Sequence, residues 1–98
     1  MHFLRFEATP LPEHPDATTL GGAFVNCWVV AAKQSDAETM ARRNITDQLW
    51  RIDKLEECFE DDRSLYDADA DDLKYYDQAM VDGEVYVFHT YPIHDADE

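Results

Sequence analysis

The stretch that most constrains the fold runs from Phe24 to Glu60, where an apolar segment, a helix-start signal and a half-apolar segment follow one another without Gly or Pro. The apolar segment, Phe24 to Ala32, is rich in the β-branched and aromatic residues that favour strands. Its nearly continuous apolarity predicts a central strand with both faces covered. We therefore interpret Phe24 to Glu60 as strand, helix and strand.

The helix-start signal is the sequence Ser35-Asp36-Ala37-Glu38. It matches a capping box, in which the side chains of Ser35 and Glu38 each accept from the backbone N–H of the other residue. After Asp36, apolar residues recur at spacings of three and four, which predicts one stripe packed on a sheet. The stripe consists of Ala37, Met40, Ala41 and Ile45, with Leu49 at its end.

The segment from Trp50 to Phe59 satisfies two periodicities. Its alternation suits a strand, whereas Leu49, Ile52, Leu55 and Phe59 also fit helical spacing. We favour the strand because Trp50 and Ile52 are good strand residues. A helix continued to Phe59 would also leave the central strand without a partner nearby in sequence.

These features together resemble small uncharacterised ferredoxin-like α+β domain proteins of bacteria. The shared pattern is an apolar strand, the Ser-Asp-Ala-Glu helix start, and Trp50 opening the next strand before Glu56-Glu57. The resemblance covers Phe24 to Glu60 only and implies a fold, with no catalytic residue transferred. The chain departs from the pattern by lacking a Gly before Trp50 and by carrying an extra strand and loop at its start.

The segments that flank this stretch complete the secondary-structure prediction. His2 to Ala8 alternates and is interpreted as an edge strand. Residues 9–22 contain Pro10, Pro12, Pro15 and two Gly, which predicts a long loop, either a surface connection or a functional lid.

A second helix is predicted from Ala70 to Val81, with Asp69 as N-cap and Gly83 just past its end. Its apolar side contains Leu73, Tyr76, Ala79 and Met80. Glu84 to Tyr91 alternates cleanly and predicts a strand that Pro92 stops. Residues 93–98 are predicted to be a flexible acidic tail.

The predicted element order is β-β-α-β-α-β in a single domain over residues 1–98. An α+β two-layer sandwich would bury every apolar stripe, and the resemblance stated above implies a sandwich of the ferredoxin-like kind. It would have a four-stranded mixed or antiparallel sheet with both helices on one face.

The charge excludes several classes of partner. The chain has 22 acidic and 8 basic residues and a net charge of -14. Nucleic acids and anionic membranes both recruit basic surfaces, so neither is expected as a partner. No basic and apolar leader is present and no apolar run approaches the ~20 residues of a membrane span, which predicts a cytoplasmic protein. The acidity could serve a basic partner or a salty cytoplasm.

No convergent catalytic or metal-binding set stands out. Cys27 and Cys58 are expected to be free thiols in apolar or acidic surroundings, which disfavour the reactive thiolate. The run Asp67 to Asp71 resembles the opening of a calcium loop, but Asp72 stands where Gly is needed and Gln78 where Glu is expected. The four His lack zinc-site spacing. We predict no metal and no cofactor.

Our leading hypothesis is a non-enzymatic acidic interaction domain. Residues 56–82 carry eleven acids against Arg63 and Lys74, with tyrosines interleaved. Such a surface suits a basic protein partner, for example as an inhibitor or immunity-type protein. The candidate binding residues are Glu56, Glu57, Glu60, Asp61, Asp62, Tyr66, Asp69, Asp72, Tyr75 and Tyr76. A homodimer through a sheet edge, at His2 to Ala8 or Glu84 to Tyr91, is also expected to be possible.

The alternative hypothesis is a small enzyme or ligand-binding domain. It would use an open face of the sheet beneath the loop of residues 9–22, with His89, Tyr91 and Glu84 as polar groups. A pocket that contains His89 beside an acid would favour this hypothesis.

Overall fold

A computed structural model describes residues 1–68 and 70–93. Its elements are β1 (His2–Pro10), β2 (Leu20–Val29), α1 (Gln34–Asp47), β3 (Trp50–Glu60), a 3₁₀ turn (Arg63–Leu65), α2 (Leu73–Asp82) and β4 (Glu84–Pro92). The fold is α+β, with strands and helices in the predicted order. The predicted cap Asp69 and residues 94–98 of the predicted tail lie outside the described residues.

The four strands form one antiparallel sheet in the order β3-β1-β2-β4. β2 is internal, as predicted. β1 is also internal, because Phe6 pairs with Val25 of β2 and with Leu55 of β3. The prediction that β1 is an edge strand is wrong. Its alternation with the charged residues Arg5 and Glu7 resembles that of an edge strand. These side chains are only half-buried because neither helix fully covers that part of the sheet.

Helix α1 covers one face of the sheet, here called the α1 face. Its buried side chains Ala37, Ala41 and Ile45 pack in one cluster with the inward side chains of β1 and β2. Those strand residues are Leu4, Phe6, Ala8, Ala23, Val25, Cys27 and Val29. The predicted stripe is therefore confirmed for these three helix positions, and Met40 packs partly buried against the same cluster.

The predicted capping box at Ser35 is wrong. The helix begins at Gln34, two residues earlier than a cap at Ser35 implies, and extended Lys33 is its N-cap without a side-chain capping bond. Ser35 thus lies inside the first turn, where its carbonyl accepts from the hydroxyl of Thr39 at 2.9 Å.

The strand predicted from Trp50 is confirmed. Leu49 makes the turn that precedes it in the left-handed region, with φ 70, although Gly is the usual residue there. Leu49 is consequently exposed and does not continue the α1 stripe. The Trp50 ring packs in the α1-face cluster with Ala8 and Ala23, and its centroid lies 5.6 Å from that of Phe88 in β4.

Helix α2 packs on the opposite face, here called the α2 face. Its residues Leu73, Tyr76 and Ala79 cluster with Phe3 of β1 and Trp28 of β2. The strand neighbours of these two residues, Leu4, Cys27 and Val29, all belong to the α1-face cluster. Since alternate residues of a strand point to opposite faces, the prediction of both helices on one face is wrong. α1 and the sheet form two layers, and α2 adds a partial third layer.

The boundaries of α2 differ from the prediction at both ends. The helix begins at Leu73 with Asp72 as N-cap, three residues later than predicted. It ends at Asp82, one residue later than predicted, and Gly83 follows as the C-cap with φ 90. The predicted strand after Gly83 is confirmed as β4.

The loop between β1 and β2 is shorter than predicted, because the strands extend to Pro10 and from Leu20. The remaining connection lies beside Trp50. The ring of His14 is 5.0 Å from that of Trp50, and the Leu11 N–H donates to the Leu49 carbonyl at 2.9 Å. The loop therefore borders the beginning of β3 on the α1 side.

Candidate interaction surface

The first three predicted binding residues lie at the end of β3. Glu57 and Glu60 are exposed, whereas Glu56 is half-buried with a carboxylate oxygen 3.8 Å from Lys54 Nζ. Glu57 pairs in register with Arg5, and Glu60 pairs with His2. Arg5 and His2 belong to opposite faces of β1, so Glu57 and Glu60 do not share one face.

Asp61 and Tyr66 form a structural network. Asp61 is only 5% exposed, and its Oδ2 accepts from the Tyr66 hydroxyl at 2.5 Å. That hydroxyl in turn accepts from Trp28 Nε1 at 3.0 Å. Burial and the bond to Asp61 raise the pKa of Tyr66. This network fixes the segment after β3 against β2, and it commits Asp61 to the interior.

The other two predicted tyrosines pack around the same tryptophan. The Tyr75 ring lies 5.1 Å from that of Trp28, and buried Tyr76 lies 5.8 Å from Tyr66. Only Tyr66 and Tyr75 keep partial exposure. The three rings therefore contribute mainly to the packing of α2 on the sheet.

Two further predicted acids, Asp62 and Asp72, sit at the ends of helical segments. Exposed Asp62 caps the 3₁₀ turn, because its Oδ1 accepts from the Ser64 N–H at 2.9 Å. Its bonds with Ser64 hold the pKa of Asp62 below its usual value. Asp72 is exposed at the N-cap of α2 without a side-chain capping bond. Both carboxylates are accessible from solvent.

Three exposed apolar residues among these acids escaped the sequence analysis. Leu65 is 66% exposed, Met80 60% and Val81 79%. The prediction that Met80 lies on the packed, apolar side of α2 is therefore wrong. The adjacent pair Met80-Val81 is a sequence signal of an exposed apolar residue. Neighbouring side chains on a helix diverge by about 100°, so the two cannot both face one sheet.

An ion pair links the 3₁₀ turn to α2 within this region. The Arg63 guanidinium donates from Nε to Oδ1 of Asp77 at 3.0 Å. Met80 and Val81 follow Asp77 by three and four residues and so lie on the same side of the helix. We define the acidic surface by its exposed carboxylates and apolar residues. These are Asp62, Leu65, Asp67, Asp71, Asp72, Asp77, Met80, Val81 and Asp82.

A groove lies between α1 and β4 on the α1 face, with a volume of about 260 Å³. It is lined by Met40, Arg43, Asn44, Asp47 and Glu84. The lining is mostly polar and charged, with Met40 as its one hydrophobic member. A groove of this composition differs from the largely apolar pockets typical of small-molecule sites.

The residues of the alternative hypothesis do not converge. His89 and Tyr91 point to the α2 face, where the Tyr91 ring lies 5.8 Å from that of Phe24. Glu84 lines the groove on the opposite face. The loop of residues 11–19 borders Trp50 and does not cover His89. In the described residues, the loop therefore does not form a lid over His89, and the three polar side chains do not lie on one face of the sheet.

Both thiols are free, and neither environment favours a thiolate. Burial raises the pKa of Cys27, and burial together with the charge of Glu38 raises that of Cys58. Within residues 1–68 and 70–93, no group of three or more His, Cys, Asp or Glu side chains could hold a metal ion. Over the same residues, no helix has the length and apolarity needed to cross a membrane.

No protein-family model matches the chain, and comparisons with curated proteins and with solved structures give no match. Functional inference therefore depends on the residues themselves.

Proposed function

We propose that the protein is a non-enzymatic interaction domain that binds a basic protein partner through the acidic surface. The observation that supports this proposal is the exposure of Leu65, Met80 and Val81 among solvent-accessible carboxylates. Large apolar side chains grouped on a surface commonly mark an interaction site.

The two kinds of residue have different roles in such a complex. The carboxylates attract a cationic partner over distance and accelerate encounter, an effect that salt weakens. Desolvation of a few central apolar residues supplies most of the binding energy. In our proposal, Leu65, Met80 and Val81 take the anchoring role expected of the tyrosines, whose rings are occupied by packing around Trp28.

An inhibitor or immunity-type protein is the concrete form that we favour. Such a protein covers a cationic site on its partner and needs no catalytic residues of its own. A cytoplasmic location belongs to the same proposal and is supported by the two free thiols. The ferredoxin-like resemblance likewise stays a proposal, supported by the strand-helix-strand unit of residues 24–60.

Affinity capture at low and high salt would test the proposal. We expect a basic partner whose capture falls as salt rises. The test variant combines Asp67→Asn, Asp71→Asn and Asp72→Asn, three exposed acids of the acidic surface. It should lose most of the capture at low salt.

The matched control combines Glu13→Gln, Asp16→Asn and Asp36→Asn, which removes the same charge from exposed positions elsewhere. It should retain capture. An acidic partner, binding that salt leaves unchanged, or equal losses in the two variants would contradict the proposal. Leu65→Ser should weaken capture at both salt concentrations, because it removes an apolar contact.

A further inference from the structure

The two edges of the sheet differ in how well they are protected against pairing with another strand. Edge strand β3 carries six charged residues among its eleven, and its register against β1 shifts twice. Charges and bulges are the usual means of blocking an edge. Edge strand β4 has one carboxylate, Glu84, in its nine residues, and the rest of it is mainly β-branched and aromatic.

The backbone of β4 presents a regular row of outward groups. The Val30 N–H donates to the Gly83 carbonyl at 2.9 Å, and the Ile93 N–H donates to the Thr19 carbonyl at 3.2 Å. Hydrogen-bonded pairs alternate along an antiparallel ladder, so the odd-numbered residues of β4 bond to β2. The N–H and C=O groups of the even-numbered residues 84, 86, 88 and 90 therefore point away from the sheet.

We propose that β4 pairs antiparallel with β4 of a second copy of this chain, about a twofold axis at Val87. Glu84 then lies opposite the partner's Thr90, and Tyr86 lies opposite the partner's Phe88. Four such residue pairs, each exchanging two hydrogen bonds, join the two sheets into one. A shift of two residues in one direction places Glu84 opposite Pro92, which has no N–H to donate. A shift in the other direction would place Thr90 opposite Asp82, which belongs to α2. Either shift leaves only three complete pairs.

Strand β4 can pair with β4 of a second copy in spite of the net charge of -14 on each chain. The two Glu84 residues are separated along the junction by six positions, about 20 Å at ~3.4 Å per residue. This distance exceeds the Debye length of about 8 Å at physiological salt, so their repulsion is screened. Tyr86 and Phe88 form cross-strand aromatic pairs, which stabilise antiparallel sheets.

The arrangement also covers a part of the sheet that α2 leaves open. A twofold axis perpendicular to the sheet keeps the two α2 faces on the same side. Val85 packs in the α2 cluster, and it lies opposite the partner's His89 in this register. The α2 helix of one copy therefore stands beside His89 and Tyr91 of the other, next to exposed Phe24.

Sedimentation or light scattering from micromolar to millimolar protein tests the association. We expect a dimer that strengthens with salt, because salt screens the repulsion between the acidic copies. Binding of a basic partner would weaken with salt, so the two proposals can fail independently.

Thr90 allows a matched pair of variants, because its side chain is exposed and its N–H points outward. Thr90→Pro removes that N–H without disturbing the bonds between β2 and β4, and should give a folded monomer. Thr90→Val keeps the N–H and should remain a dimer. A wild-type protein that is monomeric throughout, or a Thr90→Pro variant that still dimerises, would overturn the proposal.

A cysteine placed on the axis tests the register and does not depend on the proline variant. Val87 would form a non-hydrogen-bonded pair with itself, with Cα atoms about 4.5 Å apart, which a disulfide can span. Val87→Cys should give a covalent dimer under mild oxidation. Residue 85 lies opposite His89 of the partner subunit, so Val85→Cys should not give a covalent dimer. Equal cross-linking of the two variants would rule out this register.

Discussion

The network of Trp28, Tyr66 and Asp61 gives the sharpest prediction about stability. Tyr66→Phe removes one hydroxyl that accepts from the Trp28 indole N–H at 3.0 Å and donates to the carboxylate of buried Asp61. The ring remains, so the packing against Tyr76 is preserved. The substitution therefore isolates the two hydrogen bonds.

The expected loss follows from those two bonds. A hydrogen bond to a charged group contributes ~1.5–3 kcal/mol and a neutral one ~1 kcal/mol, and the substitution leaves the Trp28 N–H and Oδ2 of Asp61 without their partner. Asp61 keeps one bond, from the Asp62 N–H at 3.0 Å, which limits the cost. We expect the free energy of unfolding to fall by about 3 kcal/mol. For a domain of this size, the melting temperature should fall by about 15 °C.

Urea unfolding followed by circular dichroism measures this change. Tyr76→Phe is the matched control, since it removes a hydroxyl from a neighbouring ring that takes no part in the network. We expect a change below about 0.5 kcal/mol for the control. Equal losses in the two variants would refute the role assigned to the Tyr66 hydroxyl.

Three further predictions concern the backbone, pH and the thiols. Gly83→Ala should lower the free energy of unfolding by about 1 kcal/mol in urea titrations, because φ is 90 while the surrounding space is open. A cost near zero would argue against a left-handed cap. Burial raises the pKa of Tyr66 and Tyr86 in the folded state. The stability that these two hydroxyls contribute should therefore be fully present below the unfolded tyrosine pKa of about 10 and be lost as pH rises above it, and urea midpoints that stay level above that pH would contradict this. Under native conditions, iodoacetamide should modify Cys58 slowly and Cys27 only after unfolding, as mass spectrometry can show, and rapid modification of Cys27 would contradict its burial.

Local sequence signals predicted the elements well but the layers poorly. Trp50 and Ile52 marked a strand in spite of a competing helical spacing, because side-chain preference and the need for a nearby partner agreed. The capping box failed because α1 begins at Gln34, one residue before Ser35, with Lys33 in the cap position. Caps depend on backbone angles that a short motif does not determine.

The placement of α2 could not be obtained from any one segment. Phe3 and Trp28 give β1 and β2 apolar residues on both faces near one end, so both faces there need cover. Burial of Trp28 on the α2 face then requires hydrogen-bonding partners, which Tyr66 and Asp61 supply. Sequence composition showed the acids and tyrosines together, but it did not separate the groups that serve this network from those left in solvent.

The order of the clusters along the chain has a consequence for folding. Every buried member of the α1-face cluster, from Leu4 to Trp50, precedes the 3₁₀ turn, whereas the α2-face cluster needs residues as late as Ala79. We therefore expect β1, β2, α1 and β3 to gain protection first, with α2 and β4 adding to a preformed three-stranded sheet. Pulse-labelled hydrogen exchange would show this as earlier protection in β1 than in β4. Simultaneous protection would indicate that the last strand belongs to the folding nucleus.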